Sequence, residues 1–352
     1  MQSSQTEHQH TEMILTLRNL LGRQDVKILS RSGGGNSVVY CIDADGEKLA
    51  VKSYPPYAPG KRDRLAAEVM VYHFLNEQQL TSVPALIAFS EQYRLLVMSW
   101  IEGQIPEEYS LDDIEQAIDF IEAISLLNAD PAAQQLPQAA EACLSLAVLI
   151  NQISLRAERL QSAADAEPAL KEFLTNEFFP AFRQCQQQAR AGYYAAHMNP
   201  EAELPQEKRS LIPADFGFHN AMRDAGGRLH FFDFDYFGWD DPVKLLADIL
   251  WHPKMHLSGQ EQQRLISGLN YVYRDDLTFP SRFQLTLPLF GLRWVLIFLN
   301  EFLPEFWQNR QHAAVHANQA EAKITQLKRA RATLLNVQKI GSQYELTSET
   351  SI

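Results

Sequence analysis

Cysteine is scarce in this chain, and its three thiols lack any shared spacing. Cys41, Cys143 and Cys185 form no Cys-x-x-Cys pair and no zinc-like pattern. This excludes a disulfide framework and points to reduced thiols in a cytoplasmic setting. Clustered basic charge is also missing. Thirty-one Lys and Arg stand against 43 Asp and Glu, a net charge of -12. Phosphate backbones need clustered cations, so no nucleic-acid partner is expected. The acidic balance is compatible with a cationic acceptor, but reads first as charge carried for solubility. No basic segment followed by an apolar run opens the chain, so no signal peptide is expected. A long unbroken apolar run is absent too. The most apolar stretch, 283–303, is interrupted by Gln284, Pro288, Arg293, Asn300 and Glu301. It reads as a buried core helix, and no membrane span is expected.

What is present is ordinary globular composition, 46% hydrophobic and 21% charged over 352 residues, enough for two lobes with sizeable cores. A polar tail and a short helix occupy 1–25, the apolar spacing beginning near Glu12. Short strands are predicted at 26–29, 37–42 and 48–53, separated by Gly-rich and Asp45-Gly46 turns. A Pro-rich loop leads to a helix over 61–77, and two more strands follow at 85–89 and 94–98. Beyond Gly103 the patterning turns helical, over 111–127, 138–161, 168–195, 242–251, 261–273, 281–303 and 312–337. One non-helical island, 211–238, interrupts it. The expected architecture is therefore α+β and bilobal: a small antiparallel-sheet N-lobe over 26–98, a hinge at 99–103, and a large helical C-lobe over 104–340. A flexible tail over 341–352 completes the layout.

Three motifs carry chemistry. In Ser32-Gly33-Gly34-Gly35-Asn36-Ser37, glycines between two strands let backbone N–H groups approach a phosphate; a plain hairpin turn is the alternative. Lys52 ends the apolar run Leu49-Ala50-Val51. Pointing into a cleft, it would hold phosphates; on an edge strand, it would only block aggregation. Glu68, set among apolar helix neighbours, supplies the other half of a Lys–Glu pair, or else a solvated helix position. The strongest signal is Pro213-Ala214-Asp215-Phe216-Gly217-Phe218-His219-Asn220, followed after a hairpin (Asp224, Gly226, Gly227) by Phe231-Phe232-Asp233-Phe234-Asp235. Phosphoryl transfer needs this set. One carboxylate orients the attacking hydroxyl, while an amide oxygen and a second carboxylate hold magnesium. Asp241-Pro242 reads as a helix cap, and Asp248 as a supporting partner. Arg293, Trp294, Asn300, Glu301 and Glu305 read first as polar positions of an amphipathic helix and second as an acceptor lining. His252 reads as a helix-end residue.

Taken in order over residues 26–300, these pieces resemble the aminoglycoside phosphotransferase and choline kinase-like family of small-molecule kinases. Residues 96–103 and 238–248 contribute to the likeness. The resemblance implies a protein-kinase-like fold with ATP between the lobes. It implies that Gly33, Gly34, Gly35, Asn36 and Ser37 face the phosphates, Lys52 holds them, and Glu68 holds Lys52. Asp215 would be the catalytic base, Asn220 and Asp233 the Mg2+ ligands, and Asp235 a support. By position, the Ser99 carbonyl and the Ile101 N–H would meet the adenine edge. The family usually carries His-Gly-Asp where this chain has Pro213-Ala214-Asp215. Pro213 restricts Ile212 to an extended conformation, another route to a stiff loop. The expected activity is ATP- and Mg-dependent phosphorylation of a hydroxyl on an aminoglycoside-, amino-alcohol- or sugar-like acceptor. The altered loop motivates one alternative, a catalytically impaired nucleotide-binding regulator. A protein acceptor is disfavoured, since no Ala-Pro-Glu segment follows Asp233.

Overall fold

The computed structural model describes residues 2–34, 37–57, 60, 62–306 and 319–349. The chain forms two compact units, residues 1–140 with 216–238, and residues 141–215 with 239–352.

The first unit is built on a five-stranded antiparallel sheet. Strands β1 (Val26–Gly34), β2 (Ser37–Ala44), β3 (Glu47–Ser53), β4 (Leu86–Ser90) and β5 (Leu95–Ser99) lie in the order β1-β2-β3-β5-β4. Lys52 pairs with Val39 of β2 on one side and Leu96 of β5 on the other. It therefore belongs to the central strand, which removes the edge-strand alternative. One sheet face closes a core of Val26, Tyr40, Ile42, Ala44, Leu49, Val51, Leu95 and Val97. Leu17 of helix α1 (Gln2–Leu21) joins that core. The backbone of α1 is helical ten residues ahead of the apolar spacing that announced it.

Helix α2 (Arg64–Glu77) is capped by Asp63, whose side chain accepts the Ala66 N–H at 3.2 Å. Arg94 grips the same carboxylate with two nitrogens, at 2.9 and 2.8 Å. The buried residues of α2 include Leu65, Ala67, Glu68, Val69, Val71, Tyr72, Phe74 and Leu75. Exposure is confined to one stripe, Ala66, Met70, His73 and Glu77, and Glu68 lies on the buried side, away from it. Helix α3 (Leu111–Leu126) opens with a capping box between Ser110 and Asp113. It also holds the hairpin of Ala221–Arg223 and Leu229–Phe231. Asp113 takes the Arg223 guanidinium at 3.1 and 2.8 Å, and Gln116 bonds the Gly227 carbonyl and the Leu229 N–H.

The second unit is helical: α4 (Leu146–Ala164), α5 (Pro168–Phe173), α6 (Phe179–Ala195), α7 (Pro242–Trp251), α8 (Gly259–Val272), α9 (Phe279–Phe298) and a C-terminal helix, Gln319–Glu349. Helix α4 starts eight residues later than its periodicity suggested. Asp240 takes the Cys143 N–H at 2.7 Å, and the Ser145 hydroxyl caps Val148 at 3.1 Å. The predicted helix over 168–195 contains a π turn, Leu174–Phe178, just before Pro180. A proline has no N–H to return to the preceding turn, and the wider turn accommodates it. Part of the helix expected over 312–337 lies outside the described residues. Phe279–Phe302 is long and apolar enough to cross a membrane by length and composition. It is a core helix: α9 packs against α4, α6, α7 and the C-terminal helix.

Asp241 caps α7 through the Val243 N–H at 3.0 Å. The guanidinium of Arg282 reaches both of its oxygens, at 2.9 and 3.0 Å, and Asp276 at 2.6 Å. Burial pulls the Arg282 pKa down, but the two carboxylates outweigh it and the net shift is upward. Arg282→Ala would take the guanidinium from both oxygens of the buried Asp241, while Asp276 keeps Lys208 at 3.1 Å. It is expected to destabilise the protein by about 3–5 kcal/mol, read as a lower denaturant midpoint.

Candidate active site

A cavity of about 230 Å³ opens in the first unit. Ser32 and Ser37 flank one end, Val39, Ala50 and Met98 form apolar wall, and Ser99, Trp100 and Ile101 line it after β5. Lys52, Glu68 and Asp233 close it. Ser99 is held by two bonds, its N–H donating to the Ala85 carbonyl and its hydroxyl accepting the Ala85 N–H, both at 2.9 Å.

Charge is concentrated where these elements meet. Lys52 is 3% exposed and Glu68 is fully buried. The Lys52 ammonium lies 2.6 Å from Glu68 Oε2 and 2.5 Å from Asp233 Oδ1. Glu68 is further fixed by the Tyr54 hydroxyl and by the Phe234 N–H, the latter at 3.1 Å. Burial pulls the Lys52 pKa down, yet Glu68 and Asp233 together raise it on balance, so Lys52 is a permanent cation. Burial and then Glu68 push the Tyr54 phenol well above its usual range, keeping it a donor.

The segment after Asp233 is clamped. Arg62 donates to the carbonyls of Asp235 at 2.9 Å, Gln138 at 2.9 Å and Phe237 at 2.8 Å. Arg64 bonds the Asp235 carboxylate through Nε at 2.5 Å. Asp235 is nonetheless pushed up to about 7. Burial dominates, and Asp233 and Glu68 add to it against Lys52 and Arg64. Beneath the loop, Phe120 packs on Phe216, Phe231 and Phe234, with ring centroids 5.6, 4.5 and 6.2 Å away. Asp233 itself has φ +71, a left-handed backbone that costs about 1–3 kcal/mol unless its surroundings impose it. The clamp and the phenylalanine bed do so.

Asn220 sits in the same unit, its backbone carbonyl accepting the Phe232 N–H at 3.1 Å beside Asp233. Among the carboxylates, Glu68, Asp233 and Asp235 each bring an oxygen within 4.8 Å of the others. Glu68 is engaged by Lys52 and Tyr54, and Asp235 by Arg64. Asp233, with its side chain 34% exposed, is the one suited to a hard cation that prefers oxygen ligands.

Asp215 belongs to the second unit. It too has a left-handed backbone, φ +63, and its Oδ1 lies 3.5 Å from His252 Nε2. The structure thus gathers Ser37, Lys52, Glu68, Ser99, Ile101 and Asp233 around one cavity, while Gly33 and Gly34 end β1. Gly35 and Asn36 lie outside the described residues. Three of the five residues named as a possible acceptor lining have partners within the second unit. Arg293 holds Asp248 at 3.0 and 2.8 Å, Trp294 donates to Asp248 at 3.0 Å, and Glu305 pairs with Arg159 at 2.6 Å. Sequence reasoning missed Tyr54, Arg62, Arg64 and the His252 contact. The arginines fall within the helix expected over 61–77, and their carbonyl and carboxylate partners lie more than seventy residues away.

Two glycines are dictated by close approach. A Cβ on Gly103 would stand 2.5 Å from the Arg223 carbonyl oxygen, whose backbone pairs with Gln104. Gly33 has φ +149, and a Cβ there would stand 2.8 Å from the Ser37 carbonyl oxygen. Gly33→Val is therefore expected to spread the β1–β2 turn and weaken ATP binding about tenfold, with little change in kcat at saturating ATP. Calorimetric titration with ATP and a steady-state assay check the two halves.

A model of the phosphotransferase enzyme family matches residues 26–278. No curated protein matches the chain by sequence. Solved structures match in fold. The choline kinase LicA from Streptococcus pneumoniae is 12% identical, with 94% of this chain and 99% of that chain covered and a TM-score of 0.57. Spectinomycin phosphotransferase APH(9)-Ia, in complex with ADP and spectinomycin, is 11% identical, covering 92% and 98%, with a TM-score of 0.58. A putative fructosamine-3-kinase from Thermobifida fusca is 18% identical, covering 91% and 98%, with a TM-score of 0.55. The α+β, protein-kinase-like architecture expected from the sequence is the one these structures share.

Proposed function

This chain belongs to the phosphotransferase enzyme family, and on that premise we propose that it transfers the γ-phosphate of ATP to a hydroxyl of a small molecule, with magnesium. The observation that carries this reading is the buried Lys52–Glu68 pair with the half-buried Asp233 beside it on the wall of the cavity.

Each residue has one task. Lys52, kept charged by Glu68 and Asp233, would bind the α- and β-phosphate oxygens. Ser99 and Ile101 would take the adenine edge, and Val39, Ala50 and Met98 its faces. Asp233 and Asn220 supply the carboxylate and amide oxygens that would hold magnesium. When bound, the ion neutralises charge developing on the phosphate oxygens. Asp215 would orient the acceptor hydroxyl and take its proton as the new oxygen–phosphorus bond forms and the bond to ADP breaks. The three unpaired thiols, Cys41, Cys143 and Cys185, support a cytoplasmic setting for this activity. The acceptor would be aminoglycoside-, amino-alcohol- or sugar-like; a choline kinase and a spectinomycin phosphotransferase share the fold.

The test is ADP release with magnesium and ATP over a panel of aminoglycosides, choline-like amino alcohols, sugars and nucleosides. Release that depends on one acceptor class supports the reading and names the class. ATP binding with no acceptor-dependent release from any class would favour the regulator alternative, whose motivation is the Pro213-Ala214-Asp215 loop.

A further inference from the structure

We infer that His252 is a positioning residue for Asp215, presenting a neutral Nε2–H to its carboxylate and fixing its rotation. The inference rests on the role proposed for Asp215.

Three observations within the second unit converge on this ring. His252 directly follows α7, and its own N–H donates to the Asp248 carbonyl at 2.9 Å, so its backbone is anchored to the last helical turn. Its Nδ1 accepts the Lys254 N–H at 3.2 Å. An imidazole nitrogen that accepts carries no proton, so the proton resides on Nε2. Nε2 is the atom 3.5 Å from Asp215 Oδ1.

The ring plane is set as well. His252 meets Trp294 edge to face, with centroids 4.9 Å apart and planes at 89°. Trp294 is itself tied by its indole N–H to Asp248 at 3.0 Å, and Arg293 grips Asp248 with one nitrogen at 3.0 and 2.8 Å. A chain of fixed groups therefore runs from α9 through Asp248 and Trp294 to the imidazole, whose side chain is only 11% exposed.

A base that must meet a hydroxyl along one direction loses rate when its carboxylate turns freely. At 3.5 Å the contact is looser than an ordinary hydrogen bond, as such contacts often are before substrate is bound. Asp215 occupies an uncommon left-handed backbone, and a second tether on its side chain completes its placement.

Two variants separate N–H donation from ring packing. His252→Phe keeps a ring against Trp294 and removes the donor, while His252→Gln gives up the ring and keeps an amide donor. With the acceptor identified from the panel, His252→Phe is expected to lower kcat by between about tenfold and a hundredfold with the KM for ATP unchanged. His252→Gln should recover part of that loss. Parent kcat in His252→Phe would overturn the inference.

A second readout needs no turnover. In ¹⁵N-histidine spectra of the whole protein, the signals absent from His252→Gln identify this ring. They should show an Nε2–H tautomer whose Nε2 shift moves in Asp215→Asn. A proton on Nδ1, or no response to Asp215→Asn, would overturn it. If the parent releases no ADP with any acceptor, the proposed function fails while the spectra still decide the contact.

Discussion

Asp215→Ala is expected to lower kcat by about 10²–10⁴-fold while leaving the affinity for ATP near that of the parent. The loss should fall on kcat because the carboxylate acts on the acceptor hydroxyl. The phosphates and the purine are assigned to other residues, Lys52, Ser99 and Ile101. Nor should the fold suffer much: the Asp215 side chain is 42% exposed, and the His252 ring that loses its carboxylate keeps its packing on Trp294. The left-handed backbone at φ +63 is less comfortable for alanine than for aspartate, so Asp215→Asn is the better-matched control. It keeps shape and backbone preference and removes only the base. Single-turnover kinetics alongside ATP titration separate the two quantities. Equal kcat in parent and both variants would remove Asp215 from the mechanism.

The second large effect is expected from Asp233→Ala, which should weaken binding of magnesium-ATP by about a hundredfold or more. Two losses combine. The carboxylate assigned to the metal disappears, and Lys52 loses one of its two anionic neighbours. Glu68 remains 2.6 Å from the ammonium and is itself held by Tyr54 and Phe234. The cation therefore stays paired, and any loss in melting temperature should come from alanine's poorer fit to the left-handed backbone at φ +71. Titration with ATP in the presence and absence of magnesium resolves the contributions. The parent should gain affinity from magnesium, and the variant should gain much less. A variant whose magnesium response equals the parent's would reassign the metal ligand.

Much of this organisation was legible in the residues, and the reasons are local. Strands β1, β2 and β3 announce themselves by Val, Ile and Tyr in runs separated by Gly-rich and Asp-Gly turns, and α7 by Asp241-Pro242 at its start. The loop chemistry was legible because loop carboxylates set among phenylalanines need a partner or a ligand. Phe216, Phe231 and Phe234 do pack on one another or on Phe120 beneath the Asp233 loop.

What escaped the sequence depends on pairings distant in the chain. Nothing in the spacing of Arg62 and Arg64 says that their partners are the Asp235 segment. Tyr54 follows Lys52 by two, and alternation in a strand would place it on the same face; the run ended at Ser53, so its bond to Glu68 went unread. The start of α4 was misplaced because its periodicity runs on through residues whose backbone donors are taken elsewhere, Cys143 by Asp240. Arg293 and Trp294 showed only that a core helix carries polar residues. Their common partner, Asp248, lies on another helix. His252 looked like a helix terminus, which it is; that the same ring faces Asp215 required the path of the chain.

The central claim is that the cavity lined by Lys52, Glu68 and Asp233 binds ATP, and direct calorimetric titration tests it most plainly. The account predicts saturable binding at one site per chain, strengthened by magnesium, competed by ADP, and diminished in Asp233→Ala. Absence of saturable ATP binding by the folded parent, with magnesium present, would contradict it.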